Sequence, residues 1–316
     1  MGGLVFVAPL WLADYPALLQ SAGRYLAFGL IALPLAWLDR KRLAQLSRAD
    51  WLEALKLSAV GNLLYYAFLA SSIQRAGAPL PTMIIGTLPV VIAISSNLRR
   101  PNPGEVRRDG RLPWLQLLPS LLLIACGIGM VNHAELTLLQ HTAGAGAYAL
   151  GAVLAIGAVA CWTWYPIRNA DWLRAHAGRN PGTWATAQGI TTLPLALLAY
   201  LGFWGWSAAT GSFDLSAPGS GLPLGPRPAV FVAVMGLLGL LASWLGTLCW
   251  NGASQRLPTA LVGQLIVFET LSALAYAFVL RGQAPGAETM AGIVLLLAGV
   301  MWALRVKPEP ALLHGA

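Results

Sequence analysis

Pro81-Thr82-Met83-Ile84-Ile85-Gly86-Thr87-Leu88 and Pro258-Thr259-Ala260-Leu261-Val262-Gly263-Gln264-Leu265 read as one pattern, P-T-x-[LI]-[IV]-G-x-L. Each copy follows a Gln-Arg pair, Gln74-Arg75 in the first case and Gln255-Arg256 in the second. A spanning helix needs about 20 apolar residues. Nine segments meet or approach that length: Ala17–Leu38, Trp51–Gln74, Leu80–Leu98, Pro113–Asn132, Gly146–Ile167, Pro181–Trp204, Ala229–Asn251, Pro258–Leu280 and Glu288–Val306. A shorter one, Gly2–Ala13, comes first. The two copies therefore open the fourth and ninth segments. An odd separation of five places them in opposite orientations, the hallmark of inverted repeats, whose binding sites lie between the halves near the midplane. The expected fold is an all-α polytopic membrane protein of ten transmembrane helices, with 1–145 and 146–316 as inverted five-helix halves.

Composition agrees. Of 316 residues, 57% are hydrophobic and 10% charged, where a soluble domain carries about 25% charged residues. Such a chain has too few polar groups to cover a water-facing surface, and lipid is the solvent that fits. The net charge of +8 does not point to nucleic acid, because the cations form short clusters between apolar runs and not a basic face with interleaved aromatics.

Those clusters set an orientation. Alternate loops and the tail hold Arg40, Lys41, Arg42, Arg48, Arg99, Arg100, Arg107, Arg108, Arg111, Arg168, Arg174, Arg179, Arg256, Arg305 and Lys307, which is 15 of the 20 basic residues. The opposite loops hold Arg75, Arg227 and Arg281. The positive-inside bias makes the first set, and with it the C-terminus, cytoplasmic. Arg75 and Arg256 then fall on opposite sides, as an inverted repeat requires. The longest opposite-side stretch, Gly205–Pro228, is rich in Gly, Ser and Pro and reads as an external loop. No basic n-region precedes Gly2–Ala13, and Phe6 stands where myristoylation needs Ser or Thr. Gly2–Ala13 is too short to cross the hydrocarbon; its counterpart, the sixth helix, predicts a chain beginning about a dozen residues earlier.

The sequence resembles the drug/metabolite transporter superfamily, EamA type. The stretch Pro16-Ala17-Leu18-Leu19-Gln20-Ser21-Ala22-Gly23-Arg24-Tyr25-Leu26 looks like that family's second helix with its Arg-aromatic pair, and Gly292–Val300 like its last. Within the superfamily it looks closest to the YddG group of aromatic amino-acid exporters, on Trp250-Asn251-Gly252-Ala253-Ser254 and Gly263-Gln264-Leu265-Ile266-Val267-Phe268-Glu269-Thr270. It departs from the family at Leu280-Arg281-Gly282-Gln283, where an acidic residue is usual, and at Glu269-Thr270, where Glu-Pro is usual. The resemblance implies a secondary transporter that exports amino acids, aromatic and other neutral ones, across a bacterial inner membrane. Export of drugs or other small metabolites is the alternative on the same fold.

Several residues stand out as candidates for binding or coupling. Glu269 lies in mid-segment, where a charge costs a few kcal/mol unless it faces a polar cavity, pairs or is protonated. It suits proton coupling or a substrate ammonium; the bland role is a packing hydrogen bond. Arg24 suits a bidentate carboxylate, or else snorkels or pairs with Glu269. The aromatic sets Tyr65/Tyr66, Trp162/Trp164/Tyr165 and Trp250/Tyr276 suit stacking and cation–π contact in a cavity, with Tyr65, Trp164 and Trp250 foremost; the bland role is interface anchoring. The amides Asn62, Gln188, Asn251 and Gln264 suit substrate bonding or interhelical bonding. Pro34, Pro89 and Pro194 predict kinks.

Enzyme chemistry has no footing, since no HExxH, GxSxG or Walker pattern occurs. His133 and His141 are expected in an external loop, and His176 and His314 in a cytoplasmic loop and the tail. Cys126, Cys161 and Cys249 stand singly, with neither a disulfide framework nor a metal site indicated. No cofactor is expected, and the oligomeric state is not legible.

Overall fold

The computed structural model describes residues 4–77, 79–99, 112–139, 145–214, 224–281, 284 and 286–306. Among these residues every regular element is helical, and apart from the one-turn helix Arg40–Leu43 the helices group into ten successive runs. We number them α1 (Leu4–Trp11), α2 (Ala17–Leu38), α3 (48–76), α4 (79–98), α5 (Trp114–Leu139), α6 (Ala145–Ala175), α7 (Pro181–Thr210), α8 (Pro228–Arg256), α9 (259–281) and α10 (Ala287–Ala303). Five of them, α2, α4, α6, α7 and α8, are long and apolar enough to cross a membrane. Their outer faces carry side chains such as Leu198, Val153 and Val232, more than half exposed, as lipid-facing positions would be. The chain is an all-α polytopic membrane protein.

Most helices run past the apolar segments that signal them. α5 continues from Asn132 to Leu139, α6 from Ile167 to Ala175 and α7 from Trp204 to Thr210. The apolar criterion stops at the first polar turn, whereas the backbone ladder persists until a cap ends it. Gly211 ends α7 at φ +64°, a left-handed conformation that glycine adopts freely. His133 accordingly lies on α5 and not in a loop; it faces Glu288 at the start of α10, 3.0 Å away. The expected start Gly2-Gly3, residues 215–223 of the long loop, His141, His314, Arg100, Arg107, Arg108, Arg111 and Lys307 lie outside the described residues.

Irregularities fall at matching places along the chain. α3 carries a π-helical stretch at Ser58–Leu64, and α8 carries one at Leu238–Leu245. The pattern that recurs in α4 and α9 ends in a break both times, at Thr87 in α4 and at Leu265-Ile266 in α9. Pro89 therefore does not kink a continuous helix. It sits in the first turn of Leu88–Leu98, where its missing N–H costs no hydrogen bond.

Among the described residues the most extensive contacts join α5 to α10, α2 to α7, α3 to α6, and the second half of α4 to the first half of α9. Glycines permit the close approach that membrane helices use in place of hydrophobic driving force. A Cβ on Gly189 of α7 would come within 2.5 Å of the Ala32 Cβ of α2. One on Gly127 of α5 would meet the Gly292 carbonyl of α10 at 2.7 Å, and one on Gly263 of α9 would meet Ile92 of α4 at 2.6 Å.

The loops sort to two ends. At one end Arg179 donates to the Gln45 carbonyl, Gln255 to the Arg179 carbonyl and Arg174 to the Leu257 carbonyl, and Arg99 pairs with Asp171. At the other, Gln74 and Gln20 donate to the Tyr15 carbonyl, Tyr15 donates to the Leu224 carbonyl, and Arg227 holds Asp14. The basic loops thus gather at a single end.

Candidate functional site

Three helices, α2, α3 and α9, bring Arg24, Tyr25, Tyr65, Tyr66 and Glu269 together. Arg24 lies eight residues into α2 and is 6% exposed, so it does not snorkel. Its Nε donates to the Ser243 hydroxyl at 2.9 Å. Ser243 belongs to the π-helical stretch of α8. The guanidinium carbon lies 4.5 Å from the centre of the Tyr66 ring and 5.0 Å from that of Tyr25, which is cation–π range. These contacts occupy the face of the guanidinium and one N–H. Nη1, fully buried, has no hydrogen-bond partner.

The break in α9 decides the setting of Glu269. After Gln264 two residues turn, with the Ile266 amide bonded to the Gly263 carbonyl and the Glu269 amide to the Ile266 carbonyl. A new helix starts at Val267, so Glu269 stands in its first turn, where the free N–H groups and helix dipole favour a negative side chain. The carboxylate interacts electrostatically with Arg24, Tyr25 and Tyr65, yet no direct ion pair joins it to Arg24 among the described residues. It is partly accessible, whereas Arg24 and the three tyrosines are buried.

An aromatic stack leads away from this centre. Tyr65 stacks on Trp162 at 4.7 Å, Trp162 on Tyr165 at 4.9 Å, and Trp250 tilts against Trp162 at 6.1 Å. Trp250 Nε1 is buried without a partner, as are the Tyr66 hydroxyl, Trp244 Nε1 and Gln264 Nε2. Gln264 itself is fully buried, and its Oε1 accepts from Ser120 at 3.4 Å. Among the described residues no ring contact joins Trp164 to the stack; with Trp162 and Trp250 it packs against the cluster of Leu43, Leu57, Tyr165 and Trp172. Tyr276 is 36% exposed. Trp162, three residues before Tyr165, shares its helix face, and that spacing could have singled it out over Trp164.

Asn251 belongs to a different polar group, one that is closed on itself. Asn169 Nδ2 donates to Asn251 Oδ1 at 2.8 Å, and Asn169 Oδ1 accepts from Trp184 Nε1 at 2.8 Å and Gln188 Nε2 at 3.0 Å. Gln188 Oε1 accepts from the Tyr165 hydroxyl at 2.8 Å, and the Ser58 hydroxyl donates to the Gln188 carbonyl at 2.9 Å. The network ties α3, α6, α7 and α8 together beneath the stack, toward the basic end. Sequence reasoning missed Asn169, its hub. The available signal was an amide in the α6–α7 region facing Gln188.

No ligand-like cluster of His, Cys, Asp and Glu occurs among the described residues.

Comparison with known proteins fits this architecture. Residues 1–103 match the EamA-like transporter family. The inner membrane protein YtfF of Escherichia coli (strain K12) is 52% identical over 312 residues, covering 99% of this chain and 94% of that protein. A crystal structure of a protein 17% identical superposes with a TM-score of 0.62 over 96% of both chains, a likeness of fold alone. With half its residues shared with such a relative over nearly its full length, this chain belongs to the EamA-like family of the drug/metabolite transporter superfamily, a family of membrane transporters.

Proposed function

We propose that this protein is a secondary transporter that exports amino acids, aromatic and other neutral ones, across the inner membrane by alternating access. One observation carries the reading. A buried cation, Arg24, and a partly accessible anion, Glu269, share one centre without pairing directly, beside the faces of Tyr65 and Trp162. A zwitterion with an aromatic side chain has the complementary parts: a carboxylate for Arg24, an ammonium for Glu269 and a ring for the stack. Burying an unpaired charge such as that of Arg24 is costly, and a solute carboxylate removes that cost.

The moving parts are the halves 1–145 and 146–316, taken as inverted repeats. The matching π stretches in α3 and α8, the matching breaks in α4 and α9, and the pairing of α2, α4 and α5 with the helices five places on support this division. The gathered basic loops support a cytoplasmic C-terminus, and the name of the Escherichia coli relative supports the inner membrane.

The test is uptake of labelled phenylalanine into proteoliposomes by the wild type and Glu269→Gln, with and without a pH gradient. Gradient-stimulated uptake that the variant loses is the expected result. Equal, pH-indifferent uptake by both would make Glu269 structural. Uptake no higher than in empty vesicles, with the protein folded, would overturn the amino-acid assignment in favour of drugs or other metabolites.

A further inference from the structure

We propose that Arg24 is the seat of the solute's carboxylate and that Ser243, on the π-helical stretch of α8, is the residue that positions it. The inference deepens the transport reading and rests on it for the site's purpose, but it concerns one chemical group and can be tested without transport.

A buried donor with no acceptor is uncommon and costly, more so when charged. Arg24 Nη1 is such a donor. A guanidinium carries five donors and no acceptor, so only an acceptor can satisfy it. The rings of Tyr25 and Tyr66 stabilise the face of the cation without using any N–H, because cation–π attraction acts on the face of the ring and leaves the donors in the guanidinium plane free. Ser243 uses one donor only, at Nε. A carboxylate is the planar acceptor that meets a guanidinium edge with paired, charge-assisted bonds.

The Tyr66 hydroxyl, whose ring lies under the guanidinium, also lacks a partner. An unmatched donor on a cation selects for an anionic acceptor.

The local backbone explains how Arg24 is held. Gly23 precedes it, and a Cβ there would come within 2.5 Å of the Phe231 ring of α8. Gly239, in the π stretch, lies against α2 so closely that a Cβ would meet Ala27 at 2.7 Å. α2 and α8 are thus in close contact at residues that flank Arg24 on α2 and precede Ser243 on α8. The wider turn of a π-helix shifts the residues after it around the helix axis, and this offset sets which side chain of α8 faces α2. Ser243 engages Nε and so limits rotation of the guanidinium, and Nη1 is left without a partner.

The test is binding to the purified full-length protein, read by thermal shift across a concentration series. The probes share a phenylalkyl body: 3-phenylpropionate, its amide, phenethylamine and phenylalanine. The wild type should bind 3-phenylpropionate about 10- to 100-fold more tightly than the amide, the range of a charge-assisted hydrogen bond. Arg24→Gln should abolish that preference while leaving binding of the amide and of phenethylamine in place. Ser243→Ala, which retains the cation, should reduce the preference by about 3- to 10-fold. A wild type that binds the acid and its amide alike would overturn the proposal. So would an Arg24→Gln or Ser243→Ala protein that keeps the full preference, and the Ser243→Ala result stands alone if Arg24→Gln does not fold. Carboxylate-selective binding by a protein that fails to move phenylalanine would leave the Arg24 site standing and remove the amino-acid reading.

Discussion

Two groups of buried polar side chains lie inside this bundle, one saturated and the other not. Around Asn169 each amide finds a partner: Asn251, Trp184, Gln188, Tyr165 and Ser58 form a closed set at hydrogen-bond distance. Around Arg24 the accounting fails, with Nη1 of Arg24 and the Tyr66 hydroxyl unmatched. Both groups sit on helices that also carry lipid-facing surface. A saturated network pins helices in place, while an unsaturated one costs stability until a ligand completes it.

Substitutions can break this contrast. Asn169→Leu should have the largest effect, because it strands Trp184 Nε1, Gln188 Nε2 and Asn251 Oδ1 at once. We expect a loss of about 3 kcal/mol or more, read as a lower midpoint of thermal or detergent-induced unfolding. Arg24→Gln, equally buried, should change the same midpoint by no more than about 1 kcal/mol, since it removes an uncompensated charge along with its ring contacts. If the two variants lose stability equally, the distinction between the groups fails.

Gly239→Val comes next. It forces α8 away from Ala27 and Phe28 of α2, and overpacking of this kind costs about 1–3 kcal/mol. It should also weaken solute binding, because Ser243 moves with the helix. Trp250→Phe keeps a ring in the stack and deletes an orphaned N–H. Its unfolding midpoint should match the wild type, while solute affinity falls about 3- to 10-fold.

Asp14→Asn should have the smallest effect. Asp14 and Arg227 are 35% and 45% exposed, so their pair is screened by solvent and contributes little. The Arg227 hydrogen bonds hold the Asp14 carboxyl below its ordinary range. The pair's contribution is thus full above that range and disappears as the pH falls through the lowered value. Midpoints of wild type and variant should differ slightly at neutral pH and converge in acid.

Much of the fold is legible in the sequence because its cause is local. Lipid demands long apolar segments and internal hydrogen bonding, so α2 through α10 announce themselves by composition, and the P-T-x-[LI]-[IV]-G-x-L pair marks α4 and α9. What stays hidden depends on partners distant in the chain. Nothing in Ser-Ala-Val-Gly-Asn-Leu-Leu (58–64) prescribes a π-helix; the stretch packs Gly61 on Tyr165 and bonds Ser58 to Gln188. Glu269 is conspicuous as a lone charge, but its place in a helical first turn follows from the break at Leu265-Ile266. For the aromatics, sequence distinguishes a rich face from a poor one and not which ring stacks, so Trp162 occupies the place expected of Trp164. Asn251 was legible as a buried amide, and only its contact with Asn169 assigns it to the closed network.

The central claim is that the unsaturated centre of Arg24, Glu269 and the Tyr65–Trp162 stack binds and moves an amino acid. Counterflow tests it most directly: proteoliposomes preloaded with unlabelled phenylalanine are diluted into a trace of labelled phenylalanine. The account predicts transient accumulation of label well above that in empty vesicles, reduced in Glu269→Gln and in Arg24→Gln. Label entering no faster than in empty vesicles, from a preparation shown to be folded, would contradict it.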